Sequence, residues 1–398
     1  MRRVFLVVAA IVVACSSSSE PGASSGGSSS SSGGSSSGDG GSVEPSGPPA
    51  LRFVGRFDTR DPAGPKAGWP GCRIIARFEG TQISVKLEEL LEDWMDGGPS
   101  DWDVIVDGAI TKKISMQAGM NDFELASGLA PGTHVVELYK RTETQNGVTR
   151  LVGFDYHGGT LLAPPVAPSR KIEIIGDSAA AGFGVEGVGM GPDCPGPDYG
   201  SVWQNFHKSF GAVLGETFDA DLEGTVYSGK GFVKNIWRPD TETMPKIFQR
   251  ANSADPSSTY DITQFHPDAI VIMMGGNDFA IGQPTDDGPA SLDDFTAAYD
   301  GVVGTLRDAH PLAHIYLVVS PSAIDEEPAG RNTRTNIIAA TTQIANDRTA
   351  KGDMRVHQFE PPLATAAELT GCDGHGSPEF HQRVANDLAA VIKGHTGW

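Results

Sequence analysis

The period of the hydrophobic pattern changes once along this chain, near residue 170, and that change limits the fold more than any other feature of the sequence. Between residues 51 and 163 the apolar residues come in short runs that partly alternate with polar ones. Arg73-Ile74-Ile75-Ala76-Arg77-Phe78 and Gln82-Ile83-Ser84-Val85-Lys86-Leu87 flank a turn at Glu79-Gly80. Asp103-Val104-Ile105-Val106-Asp107-Gly108 and His134-Val135-Val136-Glu137-Leu138-Tyr139 follow, punctuated by Gly128, Pro131 and Gly132. Alternation of period two places one face of a strand in a core and the other in water. Short strands with turns at this spacing predict a β-sandwich of jelly-roll type. The Pro/Ala-rich residues 164–170 read as a semi-rigid linker.

Beyond Arg170 strands alternate with helices. Residues 172–175, 225–227, 269–274 and 314–319 are short and largely apolar, as strands buried on both faces are. Val202, Phe206, Phe210 and Val213 recur at helical spacing, and so do Phe295, Tyr299, Val302 and Leu306. A last helix starts with Ser377 as N-cap, Pro378 at the first helical position and Glu379 behind it, and carries the stripe Phe380, Val384, Leu388 and Val391. This alternation predicts an α/β domain over residues 171–398, with a parallel sheet flanked by helices. Ligands of such folds bind beyond the carboxyl ends of the strands.

The N-terminus reads as targeting and tether rather than fold. Arg2 and Arg3 precede an apolar run over residues 4–13 that is too short for a membrane span, and Val12-Val13-Ala14-Cys15 resembles a bacterial lipobox. That resemblance implies that residues 1–15 are a signal cleaved before a lipidated Cys15. Residues 16–49 are a Ser/Gly tract with too few apolar side chains to offset the entropy of ordering. The expectation is an exported bacterial lipoprotein of the outer membrane or cell surface, monomeric and touching the membrane only through its lipid. A net charge of −20 speaks against a nucleic-acid partner. In a disulfide-permissive compartment, Cys194 and Cys372 would staple two loops on one rim of the site, leaving Cys72 as a small buried hydrophobe.

Three segments carry the chemistry. Ser178 follows the strand over residues 172–175 through Gly176-Asp177, and small residues Ala179, Ala180 and Ala181 come next, so its hydroxyl is expected at a helix N-terminus. Taken alone, Gly-Asp-Ser is also an ordinary turn with a cap. A serine nucleophile needs a base to take its proton. His375 is the candidate, with Asp373 two residues before it to orient the imidazole. His381 lies inside the last predicted helix and reads as a packed residue. Asn277, in Gly275-Gly276-Asn277-Asp278, offers a side-chain N–H at another strand exit. Gly229, in Ser228-Gly229-Lys230-Gly231, offers a backbone N–H. With the N–H of Ser178 these donors would form an oxyanion hole.

These blocks resemble those of the SGNH (GDSL-like) hydrolases. With Val54-Gly55-Arg56, Phe78-Glu79-Gly80-Thr81, Asn235 and the Asp-x-His spacing, the chain is more narrowly similar to carbohydrate esterase family 2, over residues 51–398. The resemblance implies a sandwich followed by an SGNH domain and an activity that removes O-acetyl groups from polysaccharides such as xylan and glucomannan, with neither metal nor organic cofactor. It makes Ser178 the nucleophile, His375 the general base, Asp373 its orienter, and Ser178, Gly229 and Asn277 the oxyanion hole. Members often carry Trp between the Asp and His, where this chain has Gly374. Trp237 and Phe279 are the candidate sugar-contacting aromatics in its place, with Phe232 and Trp203 behind them. A broad acyl esterase or lipase is the alternative enzyme, and a non-catalytic glycan-binding surface lipoprotein the alternative of another class. Asp373, His375 and His381 are too sparse a set for a catalytic metal.

Overall fold

The computed structural model describes residues 45–95, 97–191, 194–196 and 200–398. The predicted signal, Cys15 and most of the tether lie outside them. Eleven strands precede residue 165: β1 (Arg52–Val54), β2 (Phe57–Asp58), β3 (Lys66–Ala67), β4 (Arg73–Glu79), β5 (Ile83–Leu90), β6 (Asp101–Val106), β7 (Ala109–Ser115), β8 (Gly119–Ala126), β9 (Thr133–Lys140), β10 (Val148–Asp155) and β11 (Thr160–Leu161). They form two antiparallel sheets, ordered β1-β4-β9-β6-β7 with β11 beside β4, and β2-β3-β10-β5-β8. The Glu79-Gly80 turn therefore does not close a hairpin; it carries the chain from one sheet to the other. Ile83, Val85 and Leu87 of β5 point inward while Lys86 is exposed, which is the expected alternation.

The second half contains β12 (Arg170–Gly176), β13 (Ala220–Val226), β14 (Ala269–Met273), β15 (His314–Val318) and β16 (Val356–Phe359), all parallel, in the order β13-β12-β14-β15-β16. Helices α1 (Ser178–Ala181), α2 (Phe210–Phe218), α3 (Met244–Ile247), α4 (Gly276–Phe279), α5 (Leu292–Ala309), α6 (Thr333–Ala350) and α7 (Pro378–Thr396) connect them. α2 and α7 cover one face against Ile172, Ile174, Val271 and Val318. α5 and α6 cover the other against Ile270, Ile272, Ile315 and Leu317. Reversal of strand order about β12 opens a crevice between the carboxyl ends of β12 and β14.

Three local expectations are corrected. The helix read through Val202, Phe206, Phe210 and Val213 is two single turns followed by α2, because Ser209 caps a fresh start by accepting from the Ala212 N–H at 3.3 Å. α7 does begin at the Ser377 cap, but Ile392 rather than Val391 completes its buried stripe. The strand expected over residues 225–227 starts five residues earlier, at Ala220. Its acidic residues hid it: Asp221 and Glu223 look wrong for a buried strand, yet both are matched from the sandwich. Arg52 reaches Asp221 at 2.5 Å, and buried Arg56 reaches Glu223 at 2.6 Å and Glu173 of β12 at 2.7 Å. Removing one partner of such a buried set typically costs about 3–5 kcal/mol. One hydrophobic cluster also runs from Trp69, Phe78 and Trp102 of the sandwich to Ile175 and Phe248. Residues 45–398 accordingly form one compact unit.

Candidate active site

Ser178 is the first residue of α1, immediately past the carboxyl end of β12. Asp177 caps that turn, its carboxylate accepting from the Ala179 N–H at 3.1 Å. Gly176 is required there, because a Cβ would lie 2.5 Å from the Ala180 Cβ and 2.7 Å from the Met273 carbonyl oxygen. His375 comes from the segment leading into α7, and its Nε2 lies 2.8 Å from the Ser178 Oγ. Residues separated by 197 positions thus meet at hydrogen-bond distance. Burial holds the His375 pKa below its ordinary value against the opposing pull of Asp373 and nearby carbonyls, so the imidazole is neutral and able to accept a proton near pH 7.

The acceptor that orients this ring is not the one read from sequence. His375 Nδ1 faces the Cys372 carbonyl oxygen at 3.1 Å, and the same oxygen accepts the His375 backbone N–H at 3.1 Å. The Asp373 side chain is exposed and makes no hydrogen bond to the imidazole among the described residues. Asp373 sits at φ +53° and Gly374 at +70°, a left-handed turn that swings the carboxylate away and brings the preceding carbonyl to Nδ1. A carbonyl acceptor fixes the tautomer with its proton on Nδ1 and leaves the Nε2 lone pair for the serine proton.

This carbonyl is itself braced. Cys372 is bonded to Cys194, with Cα atoms 5.4 Å apart, as expected, and Cys72 is free and buried. The Cys372 N–H donates to the Gly184 carbonyl at 3.1 Å. A Cβ at Gly187 would fall 2.2 Å from the Cys372 sulfur and 2.6 Å from the Cys194 sulfur, so the bridge requires glycine under it. Closing a loop over a separation of 178 residues removes about 5 kcal/mol of unfolded-state entropy in the chain-entropy picture. The Phe183 ring, 4.6 Å from that of His375 between centroids, supports its other side.

Asn277 sits in α4, past the end of β14, and lines the same cavity of about 250 Å³ as Ser178, Asp373 and His375. Its Nδ2 donates to the Lys230 carbonyl at 2.9 Å. A second, long hydrogen bond runs from Nδ2 to the Asp177 carboxylate at 3.5 Å, so that N–H is only weakly engaged and can turn to a reacting oxygen. The Lys230 contact also ties the Gly229 loop to Asn277, although Gly229 itself lines a second hollow of about 640 Å³. Gly229 has φ +80°, a conformation that favours glycine.

Two carboxylates that went unassigned in the sequence hold this loop. Asp278, fully buried, accepts the backbone N–H groups of Phe232, Val233 and Lys234 at 2.9, 2.6 and 2.9 Å. Burial pushes its pKa up to about 6 against those hydrogen bonds. Glu143, from the sandwich, accepts the Ser228 backbone N–H at 2.5 Å and its hydroxyl at 2.6 Å, and burial raises it to about 7. Asp278 stood next to Asn277 in plain view; nothing local to Glu143 announces a partner 85 residues away.

The aromatic candidates separate cleanly. Phe279 is fully buried against Phe295, 5.0 Å away and edge-on, so it is core and not a sugar platform. Phe232 likewise stacks on Tyr299 inside the core. Trp203 donates its indole N–H to the Pro195 carbonyl at 3.3 Å. Trp237 is 52 % exposed and lines the larger hollow. Trp94 of the sandwich, overlooked in the sequence, is 48 % exposed and lines it too.

Residues 53–165 match the family model described as Carbohydrate esterase 2 N-terminal, and residues 174–383 match the GDSL-like Lipase/Acylhydrolase family. The chain belongs to carbohydrate esterase family 2, a family of carboxylic ester hydrolases. It is 30% identical to a family two carbohydrate esterase from Clostridium thermocellum solved in complex with cellohexaose, with a TM-score of 0.77, covering 88% of this chain and 100% of that one. It is 32% identical to the cellulase/esterase CelE of Acetivibrio thermocellus over 88% of its own length, and spans 40% of that protein. An acetylxylan esterase / glucomannan deacetylase of Cellvibrio japonicus is 28% identical, over 88% of this chain and 90% of the relative.

Proposed function

We propose that this protein removes O-acetyl groups from polysaccharides of the xylan and glucomannan class through an acetyl-enzyme on Ser178. The observation that carries this reading is the 2.8 Å approach of His375 Nε2 to Ser178 Oγ within a cavity that also holds Asn277. His375 takes the hydroxyl proton as Oγ attacks the acetyl carbonyl. Negative charge developing on the carbonyl oxygen meets the weakly engaged N–H of Asn277 and the backbone N–H groups of Ser178 and Gly229. His375 then returns its proton to the sugar oxygen as it leaves. Water, deprotonated by the same imidazole, releases acetate from the serine. The Cys372 carbonyl serves as orienter, with Asp373 contributing charge alone.

Small side chains supply much of the cavity wall, among them Ala179, Gly276, Ser320, Ser322 and Ala323, which suits a short acyl group better than a long one. Trp237 and Trp94 offer apolar faces for pyranose rings in the larger hollow. Export and anchoring through a lipidated Cys15 belong to the same reading, and metabolic labelling with a fatty-acid probe, lost in Cys15→Ser, tests them. Acetate release from acetylated xylan and glucomannan tests the activity. The wild type is expected to release acetate and Ser178→Ala to release none; equal release by both would overturn the assignment.

A further inference from the structure

Three histidines outside the esterase site converge at the far edge of the parallel sheet. His314 is the first residue of β15, His357 the second of β16, and His395 lies in the last turn of α7. In a parallel sheet these strand starts lie at the end opposite the carboxyl ends that carry Ser178 and Asn277. The sequence gaps between them, 314 to 357 to 395, have no ligand spacing, so no metal was expected from the sequence. Parallel pairing sets His357 beside Tyr316, two residues from His314, and α7 lays His395 over both. His314 Nδ1 is 2.9 Å from His357 Nε2, and the rings of His357 and His395 stack with centroids 3.8 Å apart. One ring nitrogen from each of the three lies within 4.8 Å of the other two.

We propose that His314, His357 and His395 bind a divalent transition metal of borderline character, with Zn²⁺ as the physiological candidate, and thereby clip the C-terminal helix to the edge of the sheet. Nitrogens around a tetrahedral zinc at 2.0–2.1 Å stand roughly 3.4 Å apart. The three rings lie nearly parallel, with interplanar angles of 9°, 5° and 9°, so each must turn about its side-chain bonds to aim a nitrogen lone pair at a shared ion as the nitrogens close from within 4.8 Å to that spacing. His395 is exposed and leaves the fourth corner to water. An all-imidazole donor set selects Zn²⁺, Ni²⁺ or Cu²⁺ over Mg²⁺ and Ca²⁺, which take oxygen ligands. The carbonyl end of the 19-residue α7 also favours a cation near His395. Against these stand Arg307 and Arg355, whose charges act on the cluster, although Arg307 is neutralised by Asp353 at 2.8 Å.

The ligated element is the one that continues from the catalytic loop, since α7 begins three residues after His375. Metal binding would therefore stabilise the helix behind His375 without touching substrate. The test is calorimetric titration of Zn²⁺ into untagged, EDTA-stripped full-length protein near neutral pH, with thermal melts in parallel. One zinc per chain is expected, with Tm raised by about 5 °C at a hundredfold excess over Kd. His395→Ala, a change at an exposed position, should weaken binding at least tenfold, and His357→Asn should do the same. Absence of saturable binding would overturn the proposal. So would wild-type affinity in both variants, which would place the zinc at His375 or on surface carboxylates.

Discussion

Exchange of Asp373 for Asn separates an imidazole oriented by a carboxylate from one oriented by a backbone carbonyl. Asn keeps the volume and tolerates the left-handed backbone at φ +53°, so the turn that presents the Cys372 carbonyl survives the change. In a buried serine triad, the Asp-to-Asn exchange lowers kcat about 10⁴-fold because the wrong tautomer is stabilised. Here Nδ1 is held by the Cys372 oxygen at 3.1 Å, and that contact is untouched. What disappears is the attraction between an exposed carboxylate and the imidazolium of the transition state. Two unit charges about 4 Å apart in a water-like medium interact by about 1 kcal/mol, which corresponds to roughly a fivefold fall in rate. The assay is kcat and KM on an acetyl ester across pH, together with the acidic limb of kcat/KM. KM should hold, kcat should fall less than about tenfold, and the acidic limb should shift to lower pH as the raising influence of Asp373 on His375 is lost. A loss of about 10³ or more would refute the carbonyl-orienter reading and return Asp373 to the role its sequence spacing suggests.

Asn277→Ala should lower kcat by about 10²–10³ with little change in KM, since its side-chain N–H acts on charge that appears only in the transition state; steady-state kinetics on the same ester decide this. In the wild type, the acidic limb of kcat/KM should lie below the ordinary histidine value, because burial disfavours the imidazolium of His375. Glu143 is raised by burial to about 7, so the folded protein binds its proton more tightly than the unfolded chain does. Its contribution is therefore present at acidic pH and falls away as pH rises from about 4.5 to about 7. Glu143→Gln, which can still accept from the Ser228 N–H, should flatten that decline in denaturant-derived stability; an unchanged slope would show that Glu143 does not titrate there.

Much of this site was legible because its parts sit where the chain changes direction. Gly176 to Ser178 and Gly275 to Asn277 stand at the ends of apolar strands, and the Ser377-Pro378 start of α7 fixes where the His375 segment must end. The disulfide was readable for the same reason, since both cysteines flank such loops. Backbone chemistry was not readable. The Cys372 carbonyl has no side-chain signature, and Asp373 two residues before a histidine imitates a triad partner that the left-handed turn then directs to solvent. Long-range charge was equally silent. Asp221 and Glu223 obscured β13 until Arg52 and Arg56 supplied their partners, and Glu143 acquires meaning only against Ser228. Phe279 misled because hydrophobicity marks a buried ring and a sugar platform alike; exposure distinguishes it from Trp237.

The central claim is that acetyl transfer passes through the Ser178 hydroxyl. Quenching the enzyme during turnover of an activated acetyl ester, digesting it and sequencing the acetylated peptide by mass spectrometry tests this most directly. The account predicts one acetyl group, on Ser178, absent from Ser178→Ala. Acetylation at another residue, or wild-type turnover by the Ser178→Ala protein, would contradict it.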